Sequence, residues 1–324
     1  MKRGSFHPFS FAECLKTLSL KRTKELLMSK FSDLLFIGGT GRSGTTIAGK
    51  LLSRHERIIL AKPTEIKFLT SGNGLLDLYR DPLISRTGKI SLGKNSNFEK
   101  FKRSVEEKWW SRPGKKGGIT GLQSGIGLAD WEDLISKLET ELKTDRLIAC
   151  RNFFRDYVDF QKQSEDSIWL DTTPPNLMRA QEISKLLPGS RFLHMIRDGR
   201  DVASSVVHEH WGPDSHSKAL EWWRQRLIAI LKQTEHLNGL VLHVWLEDLV
   251  HHDRESTYSK FCDFLNIESD QQMQHYFDTT VVPSESNTGR WKKEVLKSTE
   301  FDRRYRKILD ELFARGLPQP MRQT

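Results

Sequence analysis

Leu34-Leu35-Phe36-Ile37-Gly38-Gly39-Thr40-Gly41-Arg42-Ser43-Gly44-Thr45-Thr46 decides the fold. A short apolar run, of the kind a buried strand uses, ends in a glycine-rich turn. A helix-compatible segment, Ile47 to Arg54, follows directly. Strand, turn and helix N-terminus in that order form an anion cradle. Backbone N–H groups of the turn converge on one point, and the aligned peptide dipoles of the helix add partial positive charge there. Read alone, the same turn also fits a tight strand-to-helix connection with no ligand.

Gly39 and Gly44 keep the spacing of a P-loop. Thr45, however, stands where a P-loop ATPase or GTPase has its lysine, just ahead of the hydroxyl residue Thr46. Arg42 brings the positive charge earlier, inside the turn. The loop is therefore expected to hold a phosphate-like group with Gly41, Arg42, Ser43, Gly44, Thr45 and Thr46, outside the usual Mg-nucleotide arrangement.

A second segment points at the same place. Phe192 to Ile196 in Arg191-Phe192-Leu193-His194-Met195-Ile196-Arg197-Asp198-Gly199-Arg200-Asp201 reads as a buried strand, and Asp198-Gly199 as a turn. Val202, Val206 and Val207 then recur at helical spacing. Arg197 falls at the carboxyl end of the strand, where open α/β sheets bind their ligands. Its planar fork suits a terminal phosphate. Ser204 and Ser205 follow in the first turns of the helix. Adjacent residues diverge by about 100° there, so one of the two, taken as Ser205, reaches the ligand. The competing reading is a surface cluster of Arg197, Asp198, Arg200 and Asp201 paired among themselves.

Together the loop and the Arg197 to Ser205 segment resemble the two-part donor site of the sulfotransferases that use 3′-phosphoadenosine 5′-phosphosulfate (PAPS). The first is similar to the family's 5′-phosphosulfate loop and the second to its 3′-phosphate motif. Arginine in the loop, and Arg-Asp-Gly-Arg in the second motif, resemble the tyrosylprotein and bacterial branches. Val244-Trp245-Leu246-Glu247-Asp248-Leu249-Val250 looks like the family's late strand, and Gly289-Arg290-Trp291-Lys292-Lys293-Glu294 like its C-terminal basic loop. The likeness spans residues 33–66 and 167–297.

What the resemblance implies is a P-loop-like, doubly wound α/β fold and a PAPS-dependent enzyme. It would move a sulfuryl group to an acceptor hydroxyl and release adenosine 3′,5′-bisphosphate (PAP). Arg290, Trp291 and Lys292 would cover the donor. Glu65, in Lys62-Pro63-Thr64-Glu65-Ile66-Lys67, stands where the tyrosylprotein branch has its general base. An attacking hydroxyl must lose its proton, and a positioned carboxylate takes it. His55 is the rival base. Sulfuryl transfer, like phosphoryl transfer, runs mainly on positioning and charge stabilisation, so arginines and N–H groups suffice without a metal. Arg42 is the catalytic cation. His251-His252-Asp253 reads as a solvated turn rather than a metal site. One departure concerns Trp169-Leu170-Asp171-Thr172-Thr173-Pro174-Pro175. Thr172 stands where many relatives carry a lysine, leaving Lys67, Lys292 or Lys293 to replace its charge. A second is Trp245-Leu246, where relatives often have tyrosine. Two other classes fit part of this pattern: a P-loop kinase of small molecules, and a non-catalytic PAPS-binding protein.

The chain has 324 residues and a net charge of +9, enough for one large domain with an insertion. A phosphosulfate donor accounts for the basic surface without nucleic acid, and no zinc-finger or RNA-binding signature accompanies it. No apolar stretch reaches the ~18–20 residues of a membrane span. Residues 1–30 are basic and mildly amphipathic, an N-terminal helical extension without a signal-peptide core. Three cysteines, Cys14, Cys150 and Cys262, make no disulfide framework, and the expected compartment is the cytoplasm. Strands are expected near 33–37, 57–61, 146–150, 167–171, 191–196 and 240–244. Helices are expected over 45–54, 175–187, 200–209 and 216–236. Residues 70–165 match nothing in the family pattern and read as a lid or acceptor region, its Trp109, Trp110 and Trp131 more in keeping with core than with a stacking site. The acceptor is a peptide tyrosine, a glycan, a lipid or a small phenol.

Overall fold

The computed structural model describes residues 31–80, 96–114, 118–295 and 298–321. The amphipathic segment 1–30 and Cys14 lie outside these residues. Five parallel strands form the central sheet: β1 (Leu34–Gly39), β2 (Ile58–Leu60), β3 (Ile168–Asp171), β4 (Arg191–Ile196) and β5 (Val241–Trp245). Their order is β2-β3-β1-β4-β5. β1 is buried along its whole length, as expected of a parallel strand covered on both faces. Its partners are Leu34↔Trp169 on β3 and Gly39↔Met195 on β4. The chain runs from β1 to one side for β2 and β3 and to the other for β4 and β5. The carboxyl end of β1 is thus a topological switch point, where such sheets bind ligands.

Helices cover both faces. On one side α1 (Thr45–Leu52), Arg254–Leu265 and Gln271–Thr280 enclose Leu35, Ile37, Leu193 and Met195. On the other, Phe36 and Phe192 meet the helices of the middle region. The doubly wound α/β reading therefore holds. Most expected elements appear within a few residues of their places. Residues 146–150 are the exception: they open α2 (Arg146–Asp159), not a strand. Asp145 caps that helix, accepting from Ile148 N at 2.9 Å. Ala149, Cys150, Phe153, Phe154 and Tyr157 then bury one helical face. A short apolar run cannot be told from a buried helix segment by periodicity alone, and here the cap decides.

The insertion shares the core of the sheet. Phe68 is ringed by Phe101, Trp131, Phe153, Phe154 and Tyr157 at centroid distances of 5.0–6.3 Å. Phe154 continues this cluster to Phe36 at 6.2 Å and Trp169 at 5.7 Å. Trp109 and Trp131 are buried, as the core reading required, and Trp110 is half-buried against the same cluster. Cys150 and Cys262 are buried free thiols. Among the described residues no helix is long and apolar enough to cross a membrane.

Phe36 joins the insertion's aromatics to the sheet, stacking on Phe192 at 5.8 Å. Phe36→Ala should therefore cost about 3–5 kcal/mol in equilibrium urea unfolding. Ile119→Ala, at a side chain 66% exposed, should stay within about 0.5 kcal/mol.

Candidate active site

The loop after β1 is built from left-handed backbone: Gly41 (φ 92°), Arg42 (φ 58°) and Gly44 (φ 95°). Such a turn aims successive N–H groups inward. Gly44 also needs its bare Cα, because a Cβ there would lie 2.9 Å from Leu246 Cδ1. α1 starts at Thr45 with no side-chain cap and no acidic residue in its first turn. Its first N–H groups have no intrahelical partners, which leaves the helix end open to an anion. Ser43 and Thr45 are buried in this turn, while Thr46 is exposed.

Two motifs far apart in sequence meet here. Arg42 Nε donates to Ser205 Oγ at 2.7 Å, and its Nη1 lies 3.6 Å from Glu209. Arg197, at the end of β4, donates from Nη1 to the Arg42 carbonyl at 3.2 Å. Its Nη2 donates to the Asn287 carbonyl at 2.9 Å and the Ser286 carbonyl at 3.4 Å. Arg197 thus holds the loop and the C-terminal segment together. The four charges do pair among themselves, Arg200 with Asp198 and Arg197 Nη2 with Asp201 at 3.8 Å, but the cluster is not a surface one, since Arg197 is only 9% exposed. Ser43 Oγ, Ser204 Oγ and Arg197 Nε are buried, with no hydrogen-bond partner among the described residues. Ser43 belongs to the loop and Arg197 is bonded to its Arg42 carbonyl, so an unpaired hydroxyl and an unpaired guanidinium nitrogen at the N–H cradle fit an anionic ligand.

Asp201 fastens the C-terminal segment. It lies on α3 (Gly199–Val206) and accepts from Gly289 N at 2.7 Å and Trp291 N at 3.2 Å. Burial raises its pKa against those two hydrogen bonds. Trp291 turns into the core, and the Arg200 guanidinium sits between its ring at 4.4 Å and that of Tyr305 at 4.3 Å. Arg290 is exposed and paired with Glu294, and the Lys292 side chain is exposed.

Glu65 occupies the loop after β2, half-buried, with Lys67 Nζ at 3.5 Å. Asp171, fully buried at the end of β3, anchors this loop. It accepts from Ile66 N at 3.3 Å, Thr173 N at 3.2 Å, Thr173 Oγ1 at 2.8 Å and the Asn176 amide. Burial pushes its pKa up to about 7, opposed by those donors. Thr172 is a strut, not an open position. Its N and Oγ1 both donate to the Thr64 carbonyl, at 2.9 and 2.8 Å. Its methyl packs where a Cβ on Gly49 would approach within 2.5 Å. His55 is structural: Nε2 donates to the Glu268 carbonyl at 2.9 Å, and Nδ1 accepts from Arg57 N at 3.1 Å. His251 binds the Thr288 hydroxyl at 2.7 Å, and His252 lies 3.7 Å from Asp248. Among the described residues no group of three potential ligands is placed to hold a metal ion.

Three acids escaped the sequence reading: Asp171, Asp201 and Glu247. Asp171 and Glu247 lie at or just past strand carboxyl ends, so the rule that located Arg197 also marks them. Glu247 Oε1 accepts from Asp198 N at 3.0 Å. Burial, then the charge of Asp198, pushes its pKa up to about 8.

The sequence profile of the sulfotransferase family matches residues 34–271. This chain belongs to the sulfotransferase family and is a transferase enzyme. Protein-tyrosine sulfotransferase A of Caenorhabditis elegans is 22% identical over 283 residues, 85% of this chain and 60% of that protein. A Caenorhabditis briggsae protein provisionally named a protein-tyrosine sulfotransferase is 22% identical over 280 residues, 84% of this chain and 79% of its own length. The sulfotransferase domain of the Synechococcus PCC 7002 olefin synthase superposes with a TM-score of 0.49 at 16% identity, covering 88% of this chain and 95% of that one. Mouse sulfotransferase SULT7A1, solved with PAP, gives 0.41 at 13% identity, covering 92% and 91%.

Glu247 makes a pH prediction. Its folded pKa is raised above the unfolded value, so its contribution to stability is full below about pH 4 and lost as pH rises through about 8. Glu247→Gln, which keeps the acceptor for Asp198 N, should flatten the fall in unfolding free energy between about pH 5 and about pH 8. An unchanged slope would mean that the carboxyl is ionised in the fold at neutral pH.

Proposed function

We propose that the chain transfers a sulfuryl group from PAPS to an acceptor hydroxyl and releases PAP. The observation that carries this reading is the contact of Arg42 with Ser205, which makes one crevice of the two donor motifs. A ligand with anionic groups at both ends matches a crevice with cations and open N–H groups at both ends. Gly41 to Thr46 hold the 5′ end, and Arg197 and Ser205 hold the 3′-phosphate. PAPS supplies an activated sulfuryl group when bound.

The protein's own part is positioning and charge. Arg42 and the N–H groups at the start of α1 neutralise the charge that grows on the leaving phosphate. Glu65 accepts the proton of the acceptor hydroxyl. Lys67, 3.5 Å from Glu65, is our candidate for the cation that relatives place at position 172. Arg290 and Lys292 extend from the segment that Asp201 holds, and they cover the donor. The names of the two Caenorhabditis relatives favour a tyrosyl hydroxyl among the acceptors.

Glu65→Gln should lower turnover by roughly 10²–10⁴-fold while PAP affinity, measured by calorimetry, changes less than about twofold. An equal loss of both would place Glu65 in donor binding and remove it as the base.

A further inference from the structure

The insertion carries an apolar groove that the donor site does not use. It lies between the helical turn Val105–Trp109 and the helix Leu128–Glu141, with a volume of about 430 Å³. Trp110, Leu128, Trp131 and Ile135 line it. Trp131 and Ile135 form a buried floor, while Trp110 is half-buried and Leu128 is 57% exposed. An apolar side chain left that far in water at the mouth of an indole-lined groove is surface that a second apolar segment would cover.

The rim carries a sign. Glu106, Glu132 and Glu139 stand around the groove, with Lys102 as the cation among its lining residues. All three glutamates are exposed, and among the described residues none of their carboxylates is held by a cation. The chain as a whole has a net charge of +9, so this rim is opposite in sign to the protein around it. An apolar floor with acidic edges fits a segment whose apolar side chains recur at helical spacing among lysines and arginines.

One segment of this chain has that pattern. Residues 1–30 contain seven lysines and arginines against two glutamates. Phe11, Leu15 and Leu18 recur at i, i+4 and i+7, with Lys16, Lys21, Arg22 and Lys24 around them. The segment also joins the fold beside the groove. Arg155 of α2 lays its guanidinium 4.7 Å from the Phe31 ring. Asp156, the next residue, accepts from Lys137 Nζ at 2.6 Å, and Lys137 follows Ser136 of the groove wall. The residues from Leu18 to Phe31 span up to about 40 Å when extended. That is about twice the ~21 Å length of the 14-residue helix Leu128–Glu141.

We infer that the groove is the docking site of residues 11–24 of this same chain. Phe11, Leu15 and Leu18 cover Trp110 and Leu128, and the basic side chains face Glu106, Glu132 and Glu139. The inference is independent of the donor and of the acceptor.

Cys14 falls between Phe11 and Leu15, whereas Cys150 and Cys262 are buried. The test places one further exposed thiol in the full chain, by Ser136→Cys on the groove wall or by Gln272→Cys on the opposite face of the sheet. Disulfide formation with Cys14 under mild oxidation is followed by mass spectrometry of non-reduced peptides. The thiol of Ser136→Cys should join Cys14 within one chain at least about tenfold faster than that of Gln272→Cys, because docking raises its effective concentration. Adding Glu132→Lys and Glu139→Lys should slow that reaction about fivefold, the two reversals acting through exposed ion pairs. Equal rates at the two positions would show that the segment does not select the groove and would overturn the inference. So would a disulfide formed between two chains, which would give the groove to a second copy, or a rate indifferent to the two charge reversals.

Discussion

Everything at the crevice depends on the parallel pairing of β1 with β4. Gly39 on β1 is in register with Met195 on β4. The next residues of each strand leave the sheet side by side, one chain into the phosphate loop and the other into Arg197. That register lets Arg42 reach Ser205 and lets Arg197 reach the Arg42 carbonyl. A slip of one residue would turn every side chain of β4 to the opposite face and separate the two motifs. Helix dipole, left-handed loop and arginine fork then act on one volume because a strand pair delivers them there.

The remaining pieces are fastened to that pair by buried acids. Asp171 holds the Glu65 loop at the end of β3, Asp201 holds the C-terminal segment at the start of α3, and Glu247 holds the Asp198 turn past β5. Burial raises the pKa of all three, opposed by the hydrogen bonds that each accepts. Each costs desolvation and returns a fixed loop, a common exchange around sites that must be preorganised. The aromatic cluster around Phe68 does the same with dispersion, welding the insertion to the face of the sheet that borders Glu65.

Much of this was legible in the sequence because it is local. The apolar run of β1, the glycines after it and the strand ending at Arg197 each declare themselves within a dozen residues. The false strand at 146–150 arose where an apolar run carried no periodicity of its own and the cap at Asp145 went unread. Thr172 was legible as a departure from the family pattern, but not as a strut, because its partners Thr64 and Gly49 come from other elements. Side chains that act through long-range contacts leave no short-range signature.

The most direct measurement is calorimetric binding of PAP, AMP and Mg-ATP to the wild-type protein. A crevice made jointly by the β1 loop and Arg197 with Ser205 should bind PAP at least about tenfold more tightly than AMP, since one charge-assisted phosphate contact is worth ~1.5–3 kcal/mol. Mg-ATP should bind more weakly than PAP. Equal affinity for PAP and AMP, or tighter binding of Mg-ATP, would contradict a site that reads the 3′-phosphate and would return the loop to ordinary nucleotide chemistry.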